Sequence, residues 1–437
     1  MVAVAVRRLH REDARGTAAE ARNSVQKLLP ASSLAPFQVA SFRFQWPADL
    51  FTSWAFEMET LILSWYVLVH TDSVFLLAVF GSLQFIGTLF SPILGVVADK
   101  IPRRTVLCTM RALYAAIAAA IMLLDFAGLL NVVFVFALSV LNGIIRPSDL
   151  VVRNALIGDT IPRSCLTNAM GLSRATADSA RIAGALVGAG LFSLLGVGPA
   201  FIVVTAFYAA SLMLTLGVYS GRPGDGLPGV AALVRAPRTF RQDLMEGMVY
   251  VCKAPQLLAL MMLAFLINLT AFPISHGLLP YVAREIYGLD SNGLAQLVAG
   301  FGIGALTASV VMGLLGGTRY SARSAILQTL IWYVLLLLFS QINFKEAGFV
   351  VLVLIGMAQG FAMLAIFVAL LDHAEAGFRG RVMGVRSLAI YGLPIGLVLA
   401  GVLIERIGYE TTVLLYAGIG IFFTAAIALT WRKAVWE

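Results

Sequence analysis

The chain has 437 residues, of which 60% are hydrophobic and 12% are charged, and its formal net charge is +8. Soluble domains contain about 45–50% apolar and about 25% charged residues, whereas the mean hydropathy of this chain is +0.90. This composition excludes a water-soluble globular protein and predicts an integral membrane protein.

Apolar stretches long enough to cross a bilayer recur along the whole chain. A membrane-spanning helix needs roughly 20 apolar residues, and twelve stretches of about that length or longer can be assigned. They cover residues 48–69, 74–97, 106–126, 131–155, 168–195, 198–218, 257–283, 293–316, 324–342, 348–371, 384–404 and 411–431. Because a polar insert at 219–256 separates them six and six, we predict an all-α integral membrane protein of two six-helix bundles.

Basic residues are concentrated on one side of this predicted topology. Most of the 31 Lys and Arg residues fall in the N-terminal tail, the insert and every second connection, which together we call the basic side. Since basic loops remain in the cytoplasm, we predict a multi-pass protein of the inner membrane. The tail (1–44), the insert, which contains an amphipathic segment, and the C-terminus (433–437) are predicted to be cytoplasmic, and bundles 45–218 and 257–432 to span the membrane. The positive charge then reflects topology, so no nucleic-acid partner is expected.

The connection after the second span carries a dense charge cluster, GVVADKIPRR at 95–104. It resembles the loop signature of the major facilitator superfamily, Gly-x-x-x-Asp-(Arg/Lys)-x-Gly-Arg-(Arg/Lys), with Pro102 in place of the second glycine. The residues that match are Gly95, Asp99, Lys100, Arg103 and Arg104. The resemblance implies a cytoplasmic gate that latches the two bundles together, and the alternative is an ordinary charged turn.

Longer stretches are similar to one bacterial branch of that superfamily, which contains the enterobactin exporter and related multidrug exporters. These stretches are residues 42–73, 145–191 and 240–257. The resemblance implies two bundles related by a pseudo-two-fold axis and a secondary active exporter. One departure lies in the fifth span, where Gly184-Ala185-Leu186-Val187-Gly188-Ala189 lacks the proline and last glycine of the exporter pattern Gly-Pro-x-x-Gly-Gly.

The first span contains two glutamates, Glu57 and Glu59. Ionisable groups inside a membrane are costly and are therefore functional candidates. Helical periodicity places Glu57 on one stripe with Asp49, Ser53 and Thr60, whereas Glu59 lies about 160° away. We therefore predict that Glu57 faces a central cavity and exchanges protons, the alternative being that either glutamate only pairs with a buried base.

The fourth and fifth spans supply further charged and polar candidates. Arg174, Asp178 and Arg181 share one face of the fifth span, and both arginines are expected to keep Asp178 ionised. The fourth span contains Asn142, Arg146 and Asp149. The cavity candidates among these are Asn142, Arg146, Asp178 and Arg181. The alternative is a static ion-pair network between the two helices.

The second half has fewer polar groups inside its spans. Asn268 and His276 lie in the seventh span and Gln359 in the tenth. Histidine can act as a protonation switch, but His276 can equally be a hydrogen-bonded structural residue. Few polar groups among many apolar ones would suit an amphipathic substrate.

No P-loop or hydrolase motif is present, and we predict neither an enzyme nor a metal or other cofactor. The first interpretation is a monomeric transporter that exports an amphipathic small molecule, siderophore-like or drug-like, in exchange for protons. The second is an importer or symporter of a polar solute. The third is a non-transporting membrane receptor with the same fold.

Overall fold

The computed structural model describes residues 35–89, 101–218, 240–314, 322–375 and 377–432. Over these residues the chain is helical, without a strand, and adjacent helices are joined by short turns. The predicted all-α class is therefore confirmed for the described part of the chain.

The first half consists of six helices in chain order. They are α1 (Ala40–Thr71), α2 (Val74–Leu83, followed by a 3-10 turn at Ile86–Leu89), α3 (Arg103–Phe126), α4 (Val132–Thr160), α5 (Arg163–Leu195) and α6 (Val197–Leu216). The turn between α5 and α6 is a single residue, Gly196, whose φ of 85° favours glycine. Side chains cap two of the helices, since Ser73 accepts from the Leu76 amide and Asn131 from the Phe134 amide.

The second half begins with the amphipathic helix α7 (Phe240–Lys253). The helices that follow are α8 (Pro255–Thr270), α9 (Ser291–Leu314), α10 (Ala322–Ser340), α11 (Lys345–His373), α12 (Arg379–Leu388), α13 (Gly392–Ile407) and α14 (Tyr409–Thr430). Helical turns, partly of the π type, extend α8 to Ile286, and a 3-10 turn at Ala389–Tyr391 joins α12 to α13.

Ten helical segments of the described residues are long and apolar enough to cross a membrane. The other two predicted spans correspond to α1 and α2. Asp49, Glu57 and Glu59 lower the hydropathy of α1, and the α-helical part of α2 is short. Residues 90–97 of the second predicted span lie outside the described residues.

One predicted boundary differs from the structure, and the amphipathic segment predicted within the insert is a helix. Helix α1 begins at Ala40, so the boundary predicted at residue 45 falls inside a helix. The insert predicted at 219–256 contains α7, which packs against α12; Glu246 of α7 and Arg381 of α12 are 3.3 Å apart. Apolar residues at helical spacing explain this, because α7 buries one face against the second half.

Glycines allow the closest helix contacts within each half. A Cβ placed on Gly184 of α5 would lie 2.9 Å from Glu57 Cβ, and one on Gly188 would lie 2.9 Å from Met58 Cα. These distances confirm that the small residues of the fifth span permit close packing, here against α1. In the second half, a Cβ on Gly304 of α9 would meet the Val353 carbonyl oxygen of α11.

The two halves contact each other mainly through two helix pairs, α5 with α9 and α2 with α13. Some of the polar contacts between the halves lie at the end of the molecule opposite the basic side. Arg284 Nη2 lies 2.6 Å from Asp72 Oδ1, and Ser73 donates to Glu405 at 2.9 Å. The described residues therefore hold the halves together at this end, which we call the opposite end.

Candidate functional site

The first half contains a buried ionic cluster. Its residues lie in the parts of the helices that are nearest the basic side. Arg111 of α3 is completely buried and donates to Asp49 of α1 and Thr215 of α6. Arg153 of α4 lies 2.6 Å from Asp149 and 3.4 Å from Asp49. The alternative of a static network between the fourth and fifth spans is wrong in its location, because these pairs join α1, α3, α4 and α6.

A second cluster of polar side chains, centred on Glu59, lies between α1, α4 and α6. The buried Glu59 accepts from Asn142 at 2.7 Å and from Tyr208 at 2.8 Å. A cavity of 20 Å³ beside Glu59 is also lined by Arg146, which donates to Gln84 at 2.7 Å. That volume holds about one water molecule. Glu59 is thus fixed inside the first half by neutral donors.

Glu57 has different neighbours. It is half-buried, its Cβ lies against Gly184 of α5, and no hydrogen bond or salt bridge in the described part of the chain includes it. Its charge does interact electrostatically with that of Arg146. Glu57 and Glu59 therefore have different contacts, as their predicted separation around the helix implies. The predicted polar stripe is divided, however, because Asp49 belongs to the buried ionic cluster.

The charged face of α5 is only partly paired. Asp178 is almost completely buried and accepts from Arg174 at 3.2 Å and from Ser309 of α9 at 3.2 Å. Arg181 makes no hydrogen bond or salt bridge with any residue that the structure describes, and its Nε atom is buried. Of the two arginines expected to keep Asp178 ionised, Arg174 forms a salt bridge with it, whereas the guanidinium of Arg181 lies near the Phe301 ring.

Arg181 and His276 meet across the contact between the halves. The Arg181 guanidinium carbon is 5.9 Å from the centre of the Phe301 ring, and the His276 ring packs edge-on against Phe301 at 5.0 Å. Both Arg181 and Arg146 act electrostatically on His276. The contacts with Phe301 bring Arg181 and His276 together, and Arg146 interacts with His276 through its charge. We call the region of these three residues the central site.

The other two candidates of the second half have different surroundings. Asn268 donates to the Ala264 carbonyl of its own helix at 2.8 Å and packs beside Gly392 of α13. Gln359 of α11 is buried, and its Oε1 atom has no hydrogen-bond partner within the described chain. The structure shows no contact of either residue with the central site. A larger groove of 530 Å³ lies elsewhere in this half, between α8, α12 and α14, and its lining is apolar.

The predicted cytoplasmic gate is described only in part. Gly95, Asp99 and Lys100 lie outside the described residues. Arg103 donates to Asp159 at 2.7 Å and to the Ala155 carbonyl at 2.9 Å, and Arg104 donates to the Leu216 carbonyl. These two arginines tie α3 to α4 and α6 within the first half.

Sequence reasoning missed three residues of these clusters. Arg111 is not among the predicted candidates, although its position inside the predicted span 106–126 signals an intramembrane charge. Arg153 is not among them either, because it lies at the edge of the predicted span 131–155. Tyr208 gave no signal, because a tyrosine in an apolar helix is common at membrane depth.

The family comparison decides the identity of this all-helical chain. The sequence pattern described as Major Facilitator Superfamily matches residues 46–393 and 261–435. The chain belongs to the major facilitator superfamily. Comparison with curated protein sequences found no match.

Solved structures of transporters share this major facilitator fold. The human organic anion transporter MFSD10 is similar over 90% of this chain and 99% of its own, with 14% identity and a TM-score of 0.63. The nucleoside transporter NupG has the same coverages and identity, with a TM-score of 0.69. A bacterial homologue of the human lysosomal transporter Spinster, solved in an inward-facing, unoccupied conformation, covers 91% and 95% with 13% identity and a TM-score of 0.66.

At these identities the structural likeness establishes the fold. Together with the family match it makes this major facilitator protein a multi-pass membrane transporter rather than an enzyme. The predicted fold class is confirmed, with ten of the spans apparent by length and composition alone.

Proposed function

We propose that this transporter exports an amphipathic small molecule in exchange for protons, by alternating access of the central site. The observation that carries the proposal is the pairing state of Glu57. It is half-buried at membrane depth, lies beside α5 and makes no hydrogen bond or salt bridge among the described residues, while its charge interacts with Arg146.

Proton coupling needs a group whose protonation changes as the site alternates. Glu59 is held by Asn142 and Tyr208, and Asp178 by Arg174 and Ser309. A proton added to either carboxylate would change hydrogen bonds that the group already accepts. Glu57 can take up and release a proton with little change in its protein contacts, and we assign it the coupling role.

Alternating access is supported by the arrangement of the two halves. Arg146 and Arg181 lie in the first half and His276 in the second, while the Asp72–Arg284 and Ser73–Glu405 contacts close the opposite end. In such a protein the halves rock about a site near the bilayer midplane. Asn268 and Gln359 remain proposed cavity residues of the second half.

Direction and topology follow from the sequence. The resemblance of residues 42–73 and 145–191 to the branch of the enterobactin exporter supports export. The distribution of Lys and Arg supports an inner-membrane protein with tail, insert and C-terminus in the cytoplasm. The loop signature, including Asp99, then lies on the cytoplasmic side as a gate. We propose that the transporter functions as a monomer.

Proton-driven uptake into inverted vesicles tests the proposal. The probes are fluorescent amphipathic dyes of negative, zero and positive charge, and the variants are Glu57→Gln, Glu59→Gln and Asp178→Asn. We expect the wild type to accumulate dye until a protonophore is added, and Glu57→Gln to lose most of this accumulation while still binding dye. Glu59→Gln and Asp178→Asn, which keep isosteric hydrogen-bonding groups, should retain more.

Three outcomes would count against the proposal. Accumulation that ignores the proton gradient would point to facilitated diffusion or to a receptor. Intact driven accumulation in Glu57→Gln, with loss in Glu59→Gln or Asp178→Asn, would move the coupling role to another carboxylate. Dye uptake only into right-side-out vesicles would favour the importer.

A further inference from the structure

Arg181 lies well inside an apolar span, at Asn168–Leu195. An arginine at the centre of a membrane helix costs about 2.5–3.5 kcal/mol on insertion scales, and such residues normally pair with a carboxylate or backbone oxygen. An intramembrane arginine without such a partner therefore needs another explanation.

The other arginines at this depth in the first half have partners. Arg111 and Arg153 pair with Asp49 and Asp149. Arg146 donates to Gln84 and interacts with the charge of Glu57.

Arg181 differs from all of them. The nearest carboxylate on its own helix, Asp178, already accepts from Arg174 and Ser309. Arg181 itself makes no hydrogen bond or salt bridge to any described residue, and its Nε atom is buried. The donors of its two Nη groups are thus available to a ligand.

The surroundings of Arg181 are aromatic and apolar. Its guanidinium lies near the Phe301 ring, and the next residue, Ile182, packs against Gly302 of α9. His276 lies between Phe301 and Phe272, whose ring centre is 6.1 Å from that of His276. Apart from the guanidinium of Arg181, these residues offer a ligand apolar surface and one imidazole ring.

We propose that the substrate is an organic anion, and that Arg181 binds its carboxylate, sulfonate or phosphate group while its apolar body packs on Phe301 and Phe272. A guanidinium holds such a group with two parallel hydrogen bonds. Aromatic rings contribute the apolar contact area. The inference rests on the proposed function for the route across the membrane, but anion binding itself needs no proton gradient.

The test is equilibrium binding to the purified full-length protein in lipid nanodiscs. The probes share one fluorophore and differ in charge: dansylglycine is an anion, dansylglycinamide is neutral, and N-dansylethylenediamine is a cation. We expect dansylglycine to bind most tightly. Arg181→Gln should weaken its binding about tenfold or more, the effect of losing a charge-assisted hydrogen bond, and should leave binding of the amide nearly unchanged.

Two further variants control for charge and folding. Arg181→Lys keeps the charge and should retain part of the preference for the anion. Arg406→Gln removes an exposed arginine from α13 and should bind all three probes like the wild type. Each variant is first compared with the wild type by thermal melting, so that weak binding caused by poor folding is recognised. If Arg181→Gln is poorly folded, Arg181→Lys is compared with the wild type in its place.

Equal binding of dansylglycine and its amide, preference for the cation, failure to bind the anion, or unchanged anion binding by Arg181→Gln would overturn the inference. The proposed function fails separately. Anion binding that depends on Arg181 but is not accompanied by proton-driven uptake of any dye would refute coupled export alone. Driven uptake of a cation without anion preference would refute the anion inference alone.

Discussion

At the scale of single residues, the ion pairs of the first half differ in burial. Arg111 is fully buried with Asp49, whereas Arg103 and Asp159 are partly exposed. Removing one partner of a buried pair leaves an uncompensated charge, which costs about 3–5 kcal/mol, whereas an exposed pair contributes about 0–1 kcal/mol. The burial of the charges therefore decides which of these residues contribute to the stability of the fold.

We predict that Asp49→Ala strongly lowers the thermal stability of the purified protein, because Arg111 then has no carboxylate partner among the described residues. The matched control is Asp159→Ala, which removes a carboxylate from an exposed pair. Thermal melting in nanodiscs should show a loss of about 3–5 kcal/mol for Asp49→Ala and less than about 1 kcal/mol for the control. Similar melting of the two variants would show that the buried pair does not stabilise the fold.

The two glutamates of α1 show what sequence could and could not predict at this scale. Helical periodicity separated Glu57 from Glu59 correctly, because that separation depends only on the geometry of one helix. The partners of Glu59 are 83 and 149 residues away in sequence. Those contacts depend on how α1, α4 and α6 pack, and no spacing in the sequence encodes them.

At the scale of helices, glycine spacing on α5 controls the approach of α1. Gly188 faces Met58 of α1, whereas Gly190, two positions later on the same helix, has open space around it. Overpacking a contact of this kind typically costs about 1–3 kcal/mol. In open space, replacing glycine by alanine in a helix is expected to stabilise it by about 0.5–1 kcal/mol.

We predict that Gly188→Ala lowers the thermal stability of the protein, since its Cβ would lie 2.9 Å from the Met58 backbone. Gly190→Ala is the matched control and should melt at the same temperature as the wild type or slightly higher. Equal melting of both variants would mean that α1 and α5 can separate at no cost.

Span positions were predictable from hydropathy, but helix regularity was not. The seventh predicted span is one apolar run, yet α8 gives way to π-helical turns at Pro273–Gly277, beside His276. The eleventh is divided by a 3-10 turn before α13. Hydropathy reports transfer into lipid and is insensitive to such changes in hydrogen-bond register, which often occur at functional sites.

At the scale of the whole molecule, the central site lies where the two halves contact each other. The described contacts between the halves close the opposite end, through Asp72 with Arg284 and Ser73 with Glu405. The two-bundle division was predictable from the polar insert and the grouping of the spans. The conformation was not, because the proposed alternating access requires one sequence to be compatible with more than one arrangement of its halves.

The most direct test of this account is the distance between spin labels on the two halves. The native cysteines Cys108, Cys165 and Cys252 form no disulfide and are replaced by serine. Labels are placed at Leu195 of the first half and Glu346 of the second, both exposed at the opposite end. Pulsed electron–electron double resonance then measures the distance between the two labels across a pH series.

We predict two distance populations, the shorter for the closed arrangement described here and the longer for an arrangement open at this end. Their ratio should change with pH in the wild type, and the change should be lost in Glu57→Gln, because protonation of Glu57 drives the exchange between them. A single distance at every pH, or a pH response that survives in Glu57→Gln, would contradict alternating access coupled to this residue.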